Sequence, residues 1–279
     1  MKIRTFLFAL AAAAVAACGQ TPEEKVAAFD AEHDAMMEEF QTMMDSLSTD
    51  QAAAEAYYND FVEKYIEFNL ESAKKNADNE VAVKVLMNLR GLIDDAQVDE
   101  IISKMPEEML QNEQVAYLKN GLDARKATAE GQMFTDFTVE HVYGYDRSMD
   151  PQPLKQEVKF SDYVGNGKYV LVDFWSPWCG PCRREMPNIK SVYEQYKDKG
   201  LDVISLTVWE RKPQSHTFET AAELEMDWTV LTNCGNVPTD IYGVEGIPHL
   251  MLIGPDGTIL KRGFHGLEGI QEAVAEYIK

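Results

Sequence analysis

Apolar residues in the first half of the chain recur at the helical period of about 3.6 residues, from 22 to 47 and again from 51 to 70. Thr21 followed by Glu24 is a helix-start pattern, because each side chain can bond the other residue's backbone amide. Three shorter helical patterns follow at 81–90, 98–104 and 112–126. This half therefore predicts an all-α domain that ends near residue 130.

From residue 131 the pattern changes to short apolar runs that alternate with helical segments. The run KYVLVDFW (168–175) is almost continuously apolar, which is typical of a strand buried on both faces, and LDVISLTVW (201–209) is a second such run. HLMLI and TILKRGF flank the turn GPDG and predict a hairpin before a last helix. We predict an α/β domain over residues 131–279, with a central mixed sheet flanked by helices.

The extreme N-terminus is typical of an export signal, residues 1–17. Lys2 and Arg4 precede a thirteen-residue, mostly apolar stretch, whereas a membrane-spanning helix needs roughly twenty residues. The stretch ends in VAAC, which resembles the lipobox of bacterial lipoproteins and implies cleavage before Cys18 and diacylglycerol on its sulfur. Gly19 after the cysteine implies the outer rather than the inner membrane. The alternative is ordinary cleavage that leaves a free thiol.

The charge of the chain narrows the range of partners. A net charge of -21 argues against nucleic-acid binding, which needs clustered Lys and Arg. Residues 19–130 hold 25 acidic and 10 basic residues and no chemical motif. Their methionines could form an adaptable binding groove, but methionines at helical spacing are more typical of a core. We therefore interpret residues 18–130 as an acidic helical accessory domain.

Cysteine usage points to redox chemistry. With Cys18 set aside, Cys179, Cys182 and Cys234 remain, too few for a stapling framework. WCGPC follows a buried strand and opens a helix, where unpaired amides and the helix dipole favour a thiolate. This predicts an exposed, nucleophilic Cys179 and a shielded Cys182 that attacks the mixed disulfide. Pro181 falls in the first helical turn, where its missing N–H does no harm.

Two acids and one proline accompany the cysteine pair. Asp173 interrupts the apolar run; if buried, its pKa should be raised, in range to exchange a proton with Cys182. An edge position or a hydrogen bond to backbone is the alternative. Glu185 lies one helical turn beyond Cys182, so it either reaches the site or lies on the helix surface. Pro248 suits the first residue of a strand, and its peptide bond with Ile247 is a candidate for the cis form.

These motifs together resemble a known family. VDFWSPWCGPC resembles the thioredoxin active site, and CRREMP, GQMFTDFT and VEGIPHLMLIGPDGTIL are similar to the TlpA/ResA-like thioredoxins. Those are exported, membrane-tethered thiol–disulfide oxidoreductases with a redoxin (AhpC/TSA-like) domain. The resemblance covers residues 131–279. Two positions depart from it: His249 stands where the family usually has Thr, and Cys234 is an additional thiol.

The resemblance implies a thioredoxin fold with Pro248 in cis, facing the disulfide, and with the backbone of Ile247 offered to the substrate chain. It implies that Asp173 is the buried acid and Glu185 the active-site acid of the TlpA/ResA group. The implied substrate-binding residues are Trp178, Gly180, Pro181, Ile247 and Pro248. The implied cofactor is none beyond the Cys179–Cys182 disulfide.

We predict that the protein reduces disulfides of exported proteins and receives electrons from a membrane or periplasmic thiol donor. CGPC resembles reducing thioredoxin, whose potential is roughly -270 mV, which favours reduction over oxidation. The predicted location is the periplasmic side of the bacterial envelope, with a lipid anchor and no nucleic-acid partner.

Other functions remain open from the residues. Cys179, Cys182, Cys234 and either His249 or His265 would make a Cys₃His zinc set, although the pair opens a long helix and Cys234 lies outside any second C-x-x-C. A tethered binding module and a thiol peroxidase are further alternatives. Cys234 is either a buried small hydrophobe or a third redox partner, and its Gly- and Asn-rich surroundings predict partial exposure.

Overall fold

The computed structural model describes residues 20–279, so the predicted signal peptide and Cys18 lie outside the described residues. The chain divides into two compact units, with the boundary between Tyr117 and Leu118. Within residues 20–279, no helix is both long enough and apolar enough to cross a membrane.

The first unit is all-α, as predicted. Its helices are α1 (Pro22–Ser46), α2 (Gln51–Lys75), α3 (Glu80–Asn88), α4 (Asp95–Ile102) and the first part of α5 (Glu113–Ala127). Thr21 and Glu24 form the predicted capping box at the start of α1. Phe40 of α1 stacks on Phe61 of α2 with ring centroids 4.1 Å apart. Most of the predicted apolar face of α1 is nevertheless only partly buried, and Phe29 alone on that helix is fully buried.

The second unit is built on a five-stranded sheet in the order β5-β4-β3-β6-β7, with helices against it. Its strands are β3 (Tyr169–Trp175), β4 (Leu201–Val208), β5 (Thr229–Gly235), β6 (His249–Ile253) and β7 (Ile259–Phe264). Its later helices are α6 (Gly180–Tyr196), α7 (Gln214–Glu223), α8 (Val237–Tyr242) and α9 (Gly266–Tyr277). β3 pairs in parallel with β4 and antiparallel with β6, so the predicted mixed sheet is confirmed. A separate hairpin pairs β1 (Thr138–Tyr145) with β2 (Pro153–Lys159).

The central strand β3 distributes its side chains between two hydrophobic clusters. Val170, Val172 and Phe174 face one cluster, whereas Leu171 and Trp175 face the other. Successive side chains of a strand alternate between faces, which places Asp173 on the face of Leu171 and Trp175. Both cysteines of the C-x-x-C pair belong to the cluster on that face. The strand thus places its one carboxyl side chain on the face that packs against the cysteine pair.

One boundary differs from the sequence-based prediction. The predicted domain boundary, between residues 130 and 131, lies later in the chain than the end of the first unit at Tyr117. Residues after Tyr117 join the second unit through contacts such as that of Arg262, whose Nη1 donates to the Thr128 carbonyl oxygen at 2.9 Å.

The structure supports the interpretation of Cys234 as a buried small hydrophobe, and the predicted partial exposure is wrong. The side chain is 1% exposed, because its position on β5 directs it into the cluster with Leu231 and Tyr242. Burial raises the pKa of the Cys234 thiol well above its ordinary value, since a thiolate there would be desolvated. The group is therefore an inert thiol in this fold.

Candidate active site

The cysteine pair sits where β3 gives way to α6. Cys179 is the N-cap of α6, Cys182 lies in its first turn, and the two form a disulfide with Cα atoms 5.3 Å apart. The backbone N–H of Cys182 donates to the Cys179 sulfur at 3.1 Å. An amide of the helix N-terminus thus points at the sulfur of Cys179, an arrangement that stabilises negative charge on that atom once the disulfide is reduced.

The prediction of an exposed Cys179 is wrong for this oxidised form. Its residue is only 3% exposed, and its Sγ lies 3.7 Å from the carbonyl oxygen of Ile247. The peptide bond between Ile247 and Pro248 is cis. The loop before β6 thus covers the Cys179 sulfur, which a substrate must reach. The surface around this sulfur is formed by Trp178, which is 37% exposed, and by neighbouring residues of the C-x-x-C segment.

Gly180 and Pro181 are the exposed residues between the two cysteines. Together with Trp178, Ile247 and Pro248 they complete the set predicted to contact the substrate. The structure therefore brings these five residues to one place around the disulfide, and their role in binding stays a prediction.

Asp173 is fully buried beside this site. Its Oδ2 accepts a hydrogen bond from Ser205 Oγ at 2.9 Å, and Ser205 Oγ in turn accepts one from Trp228 Nε1 at 2.9 Å. Oδ1 has no hydrogen-bond partner. Burial raises the pKa of Asp173 from 3.8 to about 7; the Ser205 hydrogen bond opposes this rise, and the charge of Glu185 adds to it. A carboxyl group in this state can take up and release a proton near neutral pH.

Glu185 is also buried, at 8% exposure, so the interpretation as plain helix surface is wrong. Its Oε1 accepts hydrogen bonds from the backbone N–H of Gly266 at 2.9 Å and from Asn188 Nδ2 at 3.1 Å. Gly266 is the first residue of α9, and the N-cap residue of that helix, His265, makes no side-chain capping bond. Glu185, a residue of α6, therefore caps the start of α9. Its charge also raises the pKa of Asp173.

Trp178 is fixed by the segment that follows β4. Its Nε1 donates to the carbonyl oxygen of Trp209 at 2.9 Å, and the Arg211 guanidinium lies 3.7 Å from the centroid of its ring. Trp209 has a φ of 53°, in the left-handed region that bulky residues rarely adopt. The indole next to Cys179 is thus held from one edge by a hydrogen bond and from one face by a cation.

The four ligands of the zinc interpretation do not converge. Cys234 packs in the cluster on the opposite face of the sheet from Cys179 and Cys182. His249 packs edge-on against Phe174, with ring centroids 5.7 Å apart, and burial lowers the pKa of its imidazole to about 4. Within residues 20–279 no group of three or more His, Cys, Asp or Glu side chains is placed to hold a metal ion.

Sequence reasoning missed Ser205, Trp228 and Arg211. Ser205 had the same signal as Asp173, a polar residue inside an apolar strand run, and the two residues are direct partners in the β3–β4 register. Trp228 and Arg211 lie in loops, so their contacts depend on the tertiary fold and no local sequence pattern predicts these contacts.

Comparison with known proteins bears on this geometry. Residues 131–262 match the AhpC/TSA family. The thiol–disulfide oxidoreductase ResA of Halalkalibacterium halodurans is 31% identical over 164 residues, which cover 58% of this chain and 85% of that protein. The chain belongs to the ResA-like thiol–disulfide oxidoreductases. The ResA of Bacillus subtilis is 26% identical over 137 residues, 49% of this chain and 68% of that protein.

A solved thioredoxin-like protein of Bacteroides caccae shares the fold. It aligns over 81% of this chain and 83% of its own, with a TM-score of 0.52 and 16% identity. In this ResA-like oxidoreductase Cys179 and Cys182 are bonded as a disulfide, which supports redox exchange at this pair. The disulfide described above is the oxidised form of that pair.

Proposed function

We propose that the protein is a disulfide reductase of exported proteins, which it reduces by dithiol–disulfide exchange through Cys179 and Cys182. The observation that carries the proposal is the disulfide at the start of α6, with Asp173 buried on the face of the central strand that packs against the cysteine pair. No cofactor beyond the cysteine pair takes part in the proposed reaction.

The reaction begins with the reduced pair. The Cys179 thiolate attacks one sulfur of a substrate disulfide, forming a mixed disulfide and releasing the other substrate sulfur as a thiolate, which takes a proton. Cys182 then loses its proton to the Asp173 carboxylate, and its thiolate attacks the Cys179 sulfur. The mixed disulfide breaks and the second substrate sulfur leaves as a thiolate, which takes the proton that Asp173 releases. The substrate gains two electrons and two protons, and a thiol donor must return two electrons to the Cys179–Cys182 disulfide.

Asp173 is suited to the second step. Its pKa of about 7 means that it is partly ionised at neutral pH, so it can accept the Cys182 proton and later release it. Glu185 is a positioning residue here: it holds α6 against the start of α9 through Gly266 and raises the pKa of Asp173 by its charge.

We further propose that the mature chain is tethered through lipidated Cys18, on the periplasmic side of the outer membrane. The VAAC sequence and the uncharged stretch before it support this proposal. Replacing Cys18 by Ala should release the protein from the membrane fraction of its own cells. A C18A variant that stays in the membrane fraction would contradict the tether.

A trapping experiment tests the reductase. In a Cys182→Ser variant the mixed disulfide on Cys179 cannot be resolved, so exported substrates should remain linked and be identified by mass spectrometry. A C179S/C182S variant should trap nothing, and a C182S/C234A variant should trap the same set, because Cys234 is buried. The reductase proposal fails if C182S traps no protein, or if redox titration gives a potential near roughly -120 mV, the value of a strong oxidant.

A further inference from the structure

The surface around the disulfide carries positive charge that the protein itself does not neutralise, in a chain of net charge -21. Arg184, Arg211 and Lys212 are exposed, and among the described residues none of them forms an ion pair with a carboxylate. We call these three residues the basic rim. Neighbouring cations are paired with carboxylates instead. Arg183 Nη2 lies 3.4 Å from Glu223 Oε2, and Lys190 Nζ lies 2.7 Å from Glu225 Oε2.

Two members of the basic rim lie directly on the C-x-x-C segment. The Arg211 guanidinium is 3.7 Å from the centroid of the Trp178 ring, next to Cys179. The Arg184 guanidinium folds back toward Gly180, where a Cβ atom would meet its Nη1 at 3.6 Å. The cations are therefore placed beside residues that are predicted to contact a substrate chain, on both the loop after β4 and the first turns of α6.

A groove of about 420 Å³ continues from this point. It is lined by residues 209–214 of the loop after β4 and by Asn233, Gly235 and Asn236 at the end of β5. Its one acid, Glu210, is turned inward and half-buried, and its carboxylate accepts the backbone N–H of Asn233 at 2.8 Å. Of the groove's charged side chains, Arg211 and Lys212 are left exposed to a ligand.

We propose that the basic rim and this groove bind an acidic segment of the polypeptide that presents its disulfide to Cys179. This inference rests on the proposed reductase function and specifies which substrates it favours. The net negative charge of the whole protein repels acidic polypeptides, so a preference for them can arise only from a local patch of opposite sign. The basic rim is such a patch, and two of its members lie against Trp178 and Gly180, the residues on either side of Cys179 in the chain.

The test uses three synthetic peptides that share one intramolecular disulfide loop and carry a flank of four Glu, four Gln or four Lys. The second-order rate of peptide reduction by the reduced full chain is measured at low salt. Steering by a charged cleft changes rates by 10-fold or more, so the Glu peptide should react roughly 10-fold faster than the Gln peptide. The Lys peptide should be no faster than the Gln peptide, and high salt should abolish the difference.

Three variants separate charge from packing. R211Q/K212Q should reduce the Glu-to-Gln rate ratio to roughly 1–2, whereas R211K, which keeps the charge, should retain most of it. The control K199Q/K279Q removes the same charge from exposed positions that form no ion pair within residues 20–279, at the opposite end of the sheet. There the Tyr169 N–H bonds the Gly200 carbonyl oxygen and the Tyr169 hydroxyl bonds the Tyr277 carbonyl oxygen, and this control should keep the full ratio. Equal Glu and Gln rates in the wild type, or an equal loss in the control, overturns the proposal.

A second measurement keeps this inference separate from the reductase proposal. Cysteine-free versions of the three peptides, with Ser in place of Cys, are titrated into the oxidised full chain and followed by tryptophan fluorescence. Tighter binding of the Glu version, lost in R211Q/K212Q, supports the basic rim even if no peptide is reduced, in which case the reductase function alone fails. Indifference of binding to the flank counts against the rim.

Discussion

Replacing Asp173 by Asn should change how the stability of the oxidised protein depends on pH. Burial raises the pKa of this carboxyl from 3.8 to about 7. An acid whose pKa is higher in the folded than in the unfolded state holds its proton more tightly when folded. In the wild type, the contribution of Asp173 to the free energy of unfolding is therefore largest below pH 3.8. It falls as the pH rises toward 7 and stays constant at higher pH.

The size of the effect follows from the pKa. At 1.36 kcal/mol per pKa unit, the rise from 3.8 to about 7 makes the ionised Asp173 destabilising by about 4 kcal/mol above pH 7. Asn cannot ionise, but its amide would place an N–H₂ donor where Oδ1 now has no partner, at a pH-independent cost of about 1–3 kcal/mol. We expect D173N to be more stable than the wild type at pH 8 by about 1–3 kcal/mol.

The assay is urea unfolding followed by tryptophan fluorescence, without reductant. All four tryptophans, at 175, 178, 209 and 228, lie in the second unit, so the signal reports the unit that contains Asp173. The sequence pI of 4.6 makes work near pH 4–5 prone to precipitation, so the range is pH 5.5 to 8. Over that range the wild type should lose about 2 kcal/mol more of its free energy of unfolding than D173N.

The control is Asp227→Asn, in which the replaced side chain is 71% exposed. Its free energy of unfolding should follow the wild-type pH profile within about 0.5 kcal/mol. A constant difference between D173N and the wild type from pH 5.5 to 8 would refute the reasoning, because it would mean that Asp173 does not titrate in this range.

Three further predictions use the same unfolding assay. Ser205→Ala removes a hydrogen bond that lowers the pKa of Asp173, so the loss of stability with rising pH should end about one pH unit higher than in the wild type. A pH profile identical to that of the wild type would contradict the role of this hydrogen bond. Glu185→Ala leaves the Gly266 amide uncapped and should cost about 1–3 kcal/mol at pH 5.5, where Asp173 is protonated and does not repel Glu185, whereas Glu185→Gln, which keeps an acceptor oxygen, should cost less; equal losses would contradict the cap. Cys234→Ala should cost about 1 kcal/mol through a small cavity and leave the rate of disulfide reduction unchanged, and a slower rate would show that this thiol takes part in the reaction.

Local sequence predicts the features whose causes are local. The capping box of Thr21 and Glu24 is a pattern of neighbouring residues, and it forms as predicted. Asp173 stands out because a charged residue interrupts a strand that is otherwise apolar on both faces. The C-x-x-C pair at the helix start is similarly visible, since strand, cysteine pair and helix follow one another along the chain.

Features that depend on contacts between residues far apart in the chain could not be predicted from the sequence. Cys179 is covered by Ile247, sixty-eight positions later in the chain, so its burial depends on how β6 docks beside β3. The partners of Asp173 depend on the register of β3 with β4 and on the position of Trp228. The face of α1 predicted to be inward is mostly half-exposed, because helical periodicity gives the direction of a face and not the amount of surface available to cover it.

The environment of Asp173 is better explained by proton transfer than by packing. The free energy of unfolding of a domain is about 5–15 kcal/mol, so an ionised Asp173, which is destabilising by about 4 kcal/mol, removes a large part of the stability of this unit. The same position filled by an apolar residue would extend the cluster that contains Leu171 and Trp175. Ser205 satisfies one carboxylate oxygen and leaves the other unpaired, so the group is neither fully stabilised as an anion nor held permanently neutral. A carboxyl balanced in this way titrates near neutral pH, and that is the property required by the resolving step that we propose at Cys182.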